Sequence, residues 1–493
     1  MPVFLPRSII GQAFAEHWKK HKPETPEFDV AVIGGGSAGY AAARTAAALG
    51  AKTVVIEGGK EIGGLCILRG CMPSKSYLES AHRWHDIQRA REFGLVVKPV
   101  KVEMKCIQAR KQHLIGDFAS YRRKQLARGK FTFVRGHASF LDAQTVLIEK
   151  GRKHELLTAS TFIVATGSVI TRVPVPGLWE TGCLTSDTAL ELEKIPKRLA
   201  VLGGGVIAVE LGQFFARVGS KTTILQRSKR IVRNYDPDVS AEIERALTAE
   251  EIDVRTGVKL LKVEKTGKGT KIYFQRGTKK EEIVVDEILY ALGREPAVKG
   301  LNLEAAGVSL EEGKLRVNET MATMVPNIFA VGDTVGPHEV VHIAIQQGEI
   351  AARNAVDHLR GDHEIPEKID YRLKTLVTFT DPEIASVGLN ETEATEKGID
   401  FLSAKYPFSD HGKAMIGGYE FGFVKILAEK SRGEIIGAEI IGPHASDLIH
   451  ELIAVMRYRG TVQELAAMPH YHPTLAEIVT YPAEELAEKL FPQ

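Results

Sequence analysis

At 493 residues, 44% of them hydrophobic, the chain is long enough for about three domains with buried cores. A net charge of +2 from intermingled signs leaves no basic footprint for nucleic acid, and no apolar run reaches membrane-spanning length. Four cysteines in so long a chain exclude a disulfide-stapled secreted scaffold and point to a reducing, cytoplasmic compartment.

Residues 1–27 read as an N-terminal extension. Phe4, Ile9, Ile10, Phe14 and Trp18 lie among basic residues without the long apolar core of a signal peptide, and Pro23 to Glu27 reads as a linker. Phe28 to Ile33 then predicts a buried strand. It runs into Gly34-Gly35-Gly36-Ser37-Ala38-Gly39, an alanine-rich helix to Leu49, and a second strand from Thr53 to Ile56 that ends at Glu57. Strand, glycine turn, helix, strand and acid together form a dinucleotide fingerprint. The glycines make the tight turn, let a pyrophosphate approach the backbone and pack helix on strand, while the acid accepts hydrogen bonds from a ribose.

Gly63-Gly64-Leu65-Cys66-Ile67-Leu68-Arg69-Gly70-Cys71-Met72-Pro73-Ser74-Lys75 holds two of the four cysteines and opens them onto a predicted helix. A helix N-terminus and a nearby lysine both lower a thiol pKa, so the stretch looks like a redox centre. In an ideal helix, residues five apart have Cα atoms about 8.7 Å apart, whereas a disulfide needs about 4.4 to 6.8 Å. The helix is therefore expected to be distorted between the cysteines, with Gly70 absorbing the change. A pair of buried cysteines, or half of a metal site completed by histidines, are the other readings. Cys106 and Cys183 stand alone and offer no second cysteine pair.

Further along, Phe162-Ile163-Val164-Ala165-Thr166-Gly167 is a strand followed by a glycine, and the fingerprint then recurs. Leu199 to Leu202 leads into Gly203-Gly204-Gly205, a helix to about Val218, and a strand from Thr222 to Leu225. Gly34 to Glu57 and Gly203 to Gln226 are both 23 positions, so the spacing repeats while the acid is replaced by Gln226. Two such units imply two dinucleotides. A carboxylate at the position of Gln226 would bind the ribose hydroxyls of NAD and repel a 2′-phosphate; glutamine removes that repulsion. Arg227, Lys229, Arg230 and Arg233 follow, a phosphate grip or a solvated basic loop. Leu289 to Arg294, with Gly293, is another strand-then-glycine segment, and Asn327 to Asp333 ends an apolar strand on Gly332-Asp333. From about Glu367 the character changes to alternating strand-like segments around Val377 to Glu383, and Ile440 to Ser446 leads into an apolar helix. His470-Tyr471-His472-Pro473-Thr474-Leu475-Ala476-Glu477 closes the chain with a histidine and a carboxylate able to fix its tautomer.

The cysteine stretch resembles the redox-active disulfide of the FAD-dependent class I pyridine nucleotide-disulfide oxidoreductases, and the resemblance extends from about Phe28 to Leu490. It implies an α/β fold: two Rossmann-like domains, for FAD (28–170 and 295–366) and for NAD(P) (171–294), and a C-terminal α+β dimerisation domain (367–493). FAD would be held by Gly34, Gly36, Gly39, Glu57, Ala138, Thr166, Gly167 and Asp333, with Lys75 reaching the flavin and pairing with Glu210. The nicotinamide cofactor would be held by Gly203, Gly205, Gln226, Arg227, Arg233 and Gly293. Arg227 and Arg233 match the spaced arginine pair of NADPH-dependent glutathione reductases, so NADP is expected over NAD. By resemblance Cys66 and Cys71 form a disulfide, with Cys71 nearer the flavin and Cys66 exchanging with substrate. His472 would be the acid/base supplied across a homodimer interface, Glu477 its orienter and His470 structural.

The resemblance implies a small-molecule dithiol/disulfide substrate and an activity like that of dihydrolipoamide dehydrogenase. The alternatives are an NADPH-dependent reductase of another disulfide or of a metal ion, like glutathione or mercuric reductase, and a flavoprotein redox sensor without turnover. No cysteine follows Cys183, so the C-terminal pair of mercuric reductases is missing. Arg44 is available to a carboxylated disulfide, but Glu349 stands where glutathione reductases carry arginine and repels such a substrate. Val341 to Gln347 departs from the usual dihydrolipoamide dehydrogenase pattern beside the flavin.

Overall fold

In the computed structural model, which describes residues 24–336, 338–361 and 365–492, strand β1 (Phe28–Ile33) lies inside a mixed sheet. The expected extension lies outside the described residues up to residue 23. The described chain forms two compact units, one built from residues up to Met72, His113–Thr171 and Gly293–Ile369, the other from Pro73–Gln112, Arg172–Leu292 and Asp370 onward. Pro73–Gln112 clusters with the second unit although the expected FAD-domain span contains it.

In the first unit β1 pairs in parallel with β2 (Thr53–Glu57), which pairs with β3 (Thr132–Arg135). β4 (His137–Asp142), β5 (Thr145–Lys150) and β6 (Lys153–Val164) form an antiparallel meander. β6 serves two sheets: Lys153–Thr158 pairs with β5, while its last half pairs in parallel with β1 and with Ile328–Ala330. Its burial follows this division, alternating at first and nearly continuous where both faces are covered. Helix Ser37–Ala48 packs on helix Val341–Arg360 at close range, because a Cβ on Gly348 would run into the Ala38 carbonyl. The alanines of the first helix are what that spacing requires.

The second unit repeats the parallel pattern in the order Asp253–Arg255, Lys221–Leu225, Arg198–Leu202, Glu287–Tyr290 and Leu184–Thr185. A three-stranded antiparallel meander, Val258–Thr266 to Lys279–Val285, follows. Helix Cys71–Arg89 is anchored here: the buried Tyr77 ring stacks on Phe214 at 4.7 Å and its hydroxyl donates to the Leu190 carbonyl at 2.9 Å. The C-terminal part is a five-stranded antiparallel sheet whose inner face packs on helices Ala445–Arg457 and Thr480–Leu490. On its interior strand Phe423–Glu429 the buried Lys425 ammonium meets Asp236 (2.7 Å), Asp238 (2.9 Å), Glu439 (3.1 Å) and, farther off, Glu391 (3.7 Å). Burial pushes the Glu439 carboxyl up to about 8, against the pull of Lys425. The two parallel α/β sheets and the α+β C-terminal part are the fold class expected from the sequence.

Candidate active site

The first fingerprint turn is set by backbone crowding. Gly34 has φ +111°, and a Cβ there would run into the Ala165 carbonyl; one on Gly39 would overlap the carbonyl of Gly34 itself. Gly36 then caps helix Ser37–Ala48 with no side chain bonded to its first N–H groups, which leaves them for an anion. Glu57 sits beside the turn, its carboxylate accepting from Gly35 N–H (2.8 Å) and Gly59 N–H (2.6 Å). Gly136 N–H donates to the Glu57 carbonyl at 3.0 Å, which brings Ala138, two residues on, close to that acid.

The remaining first-unit candidates gather where β6 ends. Gly167, at φ +74°, donates its N–H to Thr334 Oγ1 (3.0 Å), and Asp333 accepts from Ser168 Oγ (2.7 Å). Arg294 in turn donates to Ser168 Oγ and to its carbonyl, each at 2.8 Å. Thr166 Oγ1 is buried without a hydrogen-bond partner. A bare helix N-terminus, an acid beside the fingerprint turn, an orphaned buried hydroxyl and a half-buried Asp333 fit a dinucleotide such as FAD.

The cysteine segment lies against this turn. Gly64, φ +75°, opens the short helix Gly64–Leu68 directly on Gly36, since a Cβ on it would come within 2.7 Å of the Gly36 Cα. The helix stops after Leu68, and a new one starts at Cys71. The expected distortion is thus a complete break, with Arg69 at φ −144°. Gly70 is not in the left-handed region; what it supplies is room, because a Cβ there would sit 3.1 Å from the Leu65 carbonyl oxygen and 3.2 Å from the Cys66 Cα. Cys66 and Cys71 are both half-buried, whereas Cys106 is exposed and burial raises the Cys183 thiol pKa. Arg44, one turn past Tyr40, forms an ion pair with Glu349 at 2.8 Å.

In the second unit Lys75 Nζ donates to both oxygens of Glu210, at 2.8 and 3.0 Å, and lies 4.6 Å over the Phe379 ring. Glu210 is buried and also accepts the Phe379 N–H at 2.9 Å. The second fingerprint copies the first in detail: Gly203 has φ +114°, a Cβ on it would strike the Ala291 carbonyl, and Gly205 starts helix Val206–Arg217 uncapped. Gln226 donates to Ser228 Oγ (2.6 Å) and accepts the Arg227 N–H (3.1 Å). Arg227 and Arg233 are exposed, and among the described residues neither is paired with a carboxylate. Gly293, at φ +118°, belongs to the first unit, where its carbonyl accepts the Thr171 N–H at 3.2 Å.

His472 is 79% exposed, and its Nδ1 lies 3.0 Å from Glu477 Oε2. His470 is held between the Met468 carbonyl (3.0 Å) and Glu451 (2.7 Å). Four contributors escaped the sequence reading. His411 is buried with its Nε2 3.3 Å from Glu477 Oε1, and burial holds its pKa below the ordinary value. Gln347, fully buried, accepts the Gly332 N–H at 2.7 Å and so fixes the loop of Asp333. Ser168 and Arg294 complete that corner. The glutamine lay inside the stretch that departs from the familiar pattern, but neither histidine position nor helix spacing marked the other three.

Comparison with known proteins agrees with this geometry. The family profile "Pyridine nucleotide-disulphide oxidoreductase" matches residues 28–348, and the profile of that family's dimerisation domain matches 375–483. A dihydrolipoyl dehydrogenase of Geobacillus stearothermophilus is 35% identical over 460 residues, 93% of this chain and 96% of that protein. A mercuric reductase of Staphylococcus aureus is 35% identical over 454 residues, 92% of this chain and 81% of that protein. A solved Cu(II) complex of the HOCl-induced flavoprotein disulfide reductase RclA from Escherichia coli superposes with a TM-score of 0.81 at 24% identity. It covers 94% of this chain and all (100%) of that one, and at that identity it speaks for the fold.

The Glu210 carboxylate carries two partners at once, so its removal is costly. Glu210→Leu leaves Lys75 and the Phe379 N–H unpaired and should cost about 3–5 kcal/mol. Glu210→Gln keeps an acceptor for Phe379 and should cost less. Thermal unfolding of the two variants, and of Glu210→Leu combined with Lys75→Met, checks this: the double variant should be more stable than the sum of its single losses.

Proposed function

Because the chain belongs to the pyridine nucleotide-disulphide oxidoreductase family and carries its dimerisation domain, we propose that it is a homodimeric, cytoplasmic disulfide oxidoreductase acting on a small dithiol or disulfide in the manner of dihydrolipoamide dehydrogenase. The observation that carries the reading is the broken helix at Arg69-Gly70, which leaves Cys66 and Cys71 half-buried on either side of the break, with Gly64 of the same segment against the fingerprint turn. FAD would be held by Gly34, Gly36, Gly39, Glu57, Ala138, Thr166, Gly167, Asp333 and Lys75; bound there, it exchanges electrons between a nicotinamide and a dithiol.

The rest of the chemistry belongs to the side chains. In the reductive direction the Cys66 thiolate attacks one sulfur of the substrate disulfide. A Cys66–substrate bond forms, the substrate S–S bond breaks, and the released thiolate takes a proton from His472. The Cys71 thiolate then attacks the Cys66 sulfur and displaces the second substrate thiolate, which takes its proton from solvent, so that the two electrons of the cysteine pair end on two substrate thiols and the Cys66–Cys71 disulfide remains. Glu477 orients His472 through Nδ1 and leaves Nε2 for the proton. In a homodimer the exposed His472 serves the partner's cysteines. Lys75 is held in place by both oxygens of Glu210 for use at the flavin. Gly203, Gly205, Gln226, Arg227, Arg233 and Gly293 would receive the nicotinamide cofactor, NADP ahead of NAD.

Three measurements test the assignment. Cys66→Ser should abolish turnover of dihydrolipoamide while FAD stays bound, since the fingerprint glycines do not depend on that thiol; loss of flavin absorbance would reject the division of roles. His472→Ala should slow disulfide exchange by about 10²–10⁴-fold with stopped-flow flavin reduction by NADPH unchanged. For the cofactor, Arg227→Ala should raise the Michaelis constant for NADPH about tenfold or more and leave that for NADH nearly unaltered, as removal of a charge-assisted phosphate contact requires. Steady-state kinetics that show NADH preferred by the unmodified protein would return it to NAD-linked dihydrolipoamide oxidation.

A further inference from the structure

The first unit holds one buried cation beside the fingerprint helix that the reading above does not use. Arg122, on the long helix Met104–Arg128, is half-buried and lays its guanidinium 4.3 Å over the ring of Tyr40. Tyr40 belongs to the first turn of the fingerprint helix, its N–H bonded to the Gly36 carbonyl at 2.9 Å. Gly36 is the residue on which Gly64 rests, two positions before Cys66. A chain of neighbours in the first unit thus runs from Arg122 through Tyr40 and Gly36 to Gly64, at the start of the short helix that carries Cys66.

The charge of Arg122 is uncompensated. Its Nε and Nη1 are buried without hydrogen-bond partners, and among the described residues no carboxylate is paired with it. Arg44 nearby is different, because Glu349 neutralises it at 2.8 Å. Burial holds the Arg122 pKa below its ordinary value, and the groups that oppose this are Tyr40, Cys66 and Tyr121, while Arg44 adds to the lowering. Arginine keeps its proton in such surroundings, so the site retains a positive charge with little solvent screening on one side. An anion is the missing partner, and the nearby anions available are a Cys66 thiolate and a negative group on whatever meets that sulfur.

We propose that Arg122 is a specificity-determining residue whose guanidinium sets a positive field at Cys66, so that the thiol reacts in preference with disulfides and electrophiles bearing a carboxylate. The proposal rests on the assignment of Cys66 as the exchanging thiol. It concerns the charge of the substrate and adds a cation where Glu349, held by Arg44, supplies no net repulsion.

Alkylation of the reduced protein reads the field without turnover. Iodoacetate and iodoacetamide differ chiefly in one negative charge, and the modification rate of the Cys66 peptide with each is measured by mass spectrometry. Arg122→Met should lower the iodoacetate-to-iodoacetamide rate ratio at least about threefold, and Arg122→Lys should keep most of it. An unchanged ratio in Arg122→Met overturns the proposal. Should loss of stacking on Tyr40 unfold that variant, Arg122→Gln gives the same reading. A second arm uses lipoate and lipoamide with NADPH: Arg122→Met should cut kcat/KM for the carboxylate about tenfold and leave the amide within about twofold. Equal losses on both also overturn it. If the unmodified protein turns over neither compound nor any other small disulfide, the oxidoreductase reading fails, and the alkylation ratio still decides the role of Arg122.

Discussion

The constraint on which both halves of the chemistry depend is a contact between backbones too close for a side chain. At Gly34 the strand must turn under the Ala165 carbonyl, and at Gly203 under that of Ala291, each at φ near +110° (+111° and +114°). Once the turn is that tight, the following helix begins at Gly36 or Gly205 with N–H groups that no side chain caps, aimed at the end of a parallel sheet. An anion-binding helix end and a buried strand are then one structural decision. In the first unit the decision extends to the redox segment, because Gly64 can rest on Gly36 only where residue 64 lacks a Cβ.

What differentiates the charged groups around these turns is whether each has a partner. Glu57 accepts two backbone N–H groups, Arg44 is matched by Glu349 and Lys75 by Glu210, so their charges are positioned and largely neutralised. Lys425 meets four acids, which makes it a fastening inside the second unit, where Asp236 opens helix Pro237–Ala249. Arg122 in the first unit and Arg227 and Arg233 in the second lack such matches among the described residues. Partnered charges are fixed in place, some for the fold and some for the cofactor, whereas a cation with buried N–H groups and no partner, as at Arg122, is retained at a cost in stability.

The sequence made the local decisions legible and the long-range ones not. Strand, glycine turn, helix and acid are encoded within about thirty residues, so both fingerprints appear where periodicity and glycine spacing put them, to within a residue or two at each end. The break between the cysteines was deducible from helix geometry alone; its form was not, because Gly70 is needed for clearance from Leu65 and Cys66 and not for a left-handed φ. Gln347, Ser168, Arg294 and His411 were silent for a common reason. Each acts on a group far off in the chain, as Gln347 does on Gly332 and Arg294 on Ser168, and a lone polar residue carries no periodic signal of its tertiary partner. Arg122 was hidden in the same way, on a long basic helix where one arginine among many reads as solvated surface.

His411 shows what such a silent residue contributes. Its Nδ1 accepts the Ala414 N–H at 3.4 Å, so in the neutral ring the proton is on Nε2, the atom that faces Glu477 Oε1 at 3.3 Å. Burial favours that neutral form, opposed by the Glu477 charge. Glu477 thus has a neutral polar ring 3.3 Å from one oxygen, too poorly aligned for a hydrogen bond, while its other oxygen lies 3.0 Å from Nδ1 of the exposed His472. A lysine or arginine at 411 would claim the carboxylate as an ion pair in competition with His472. An alanine would leave Glu477 free to rotate. A buried histidine does neither, and it is this pairing of a neutral ring with an exposed titratable one on a single carboxylate that suits Glu477 to orient a group that must gain and lose a proton.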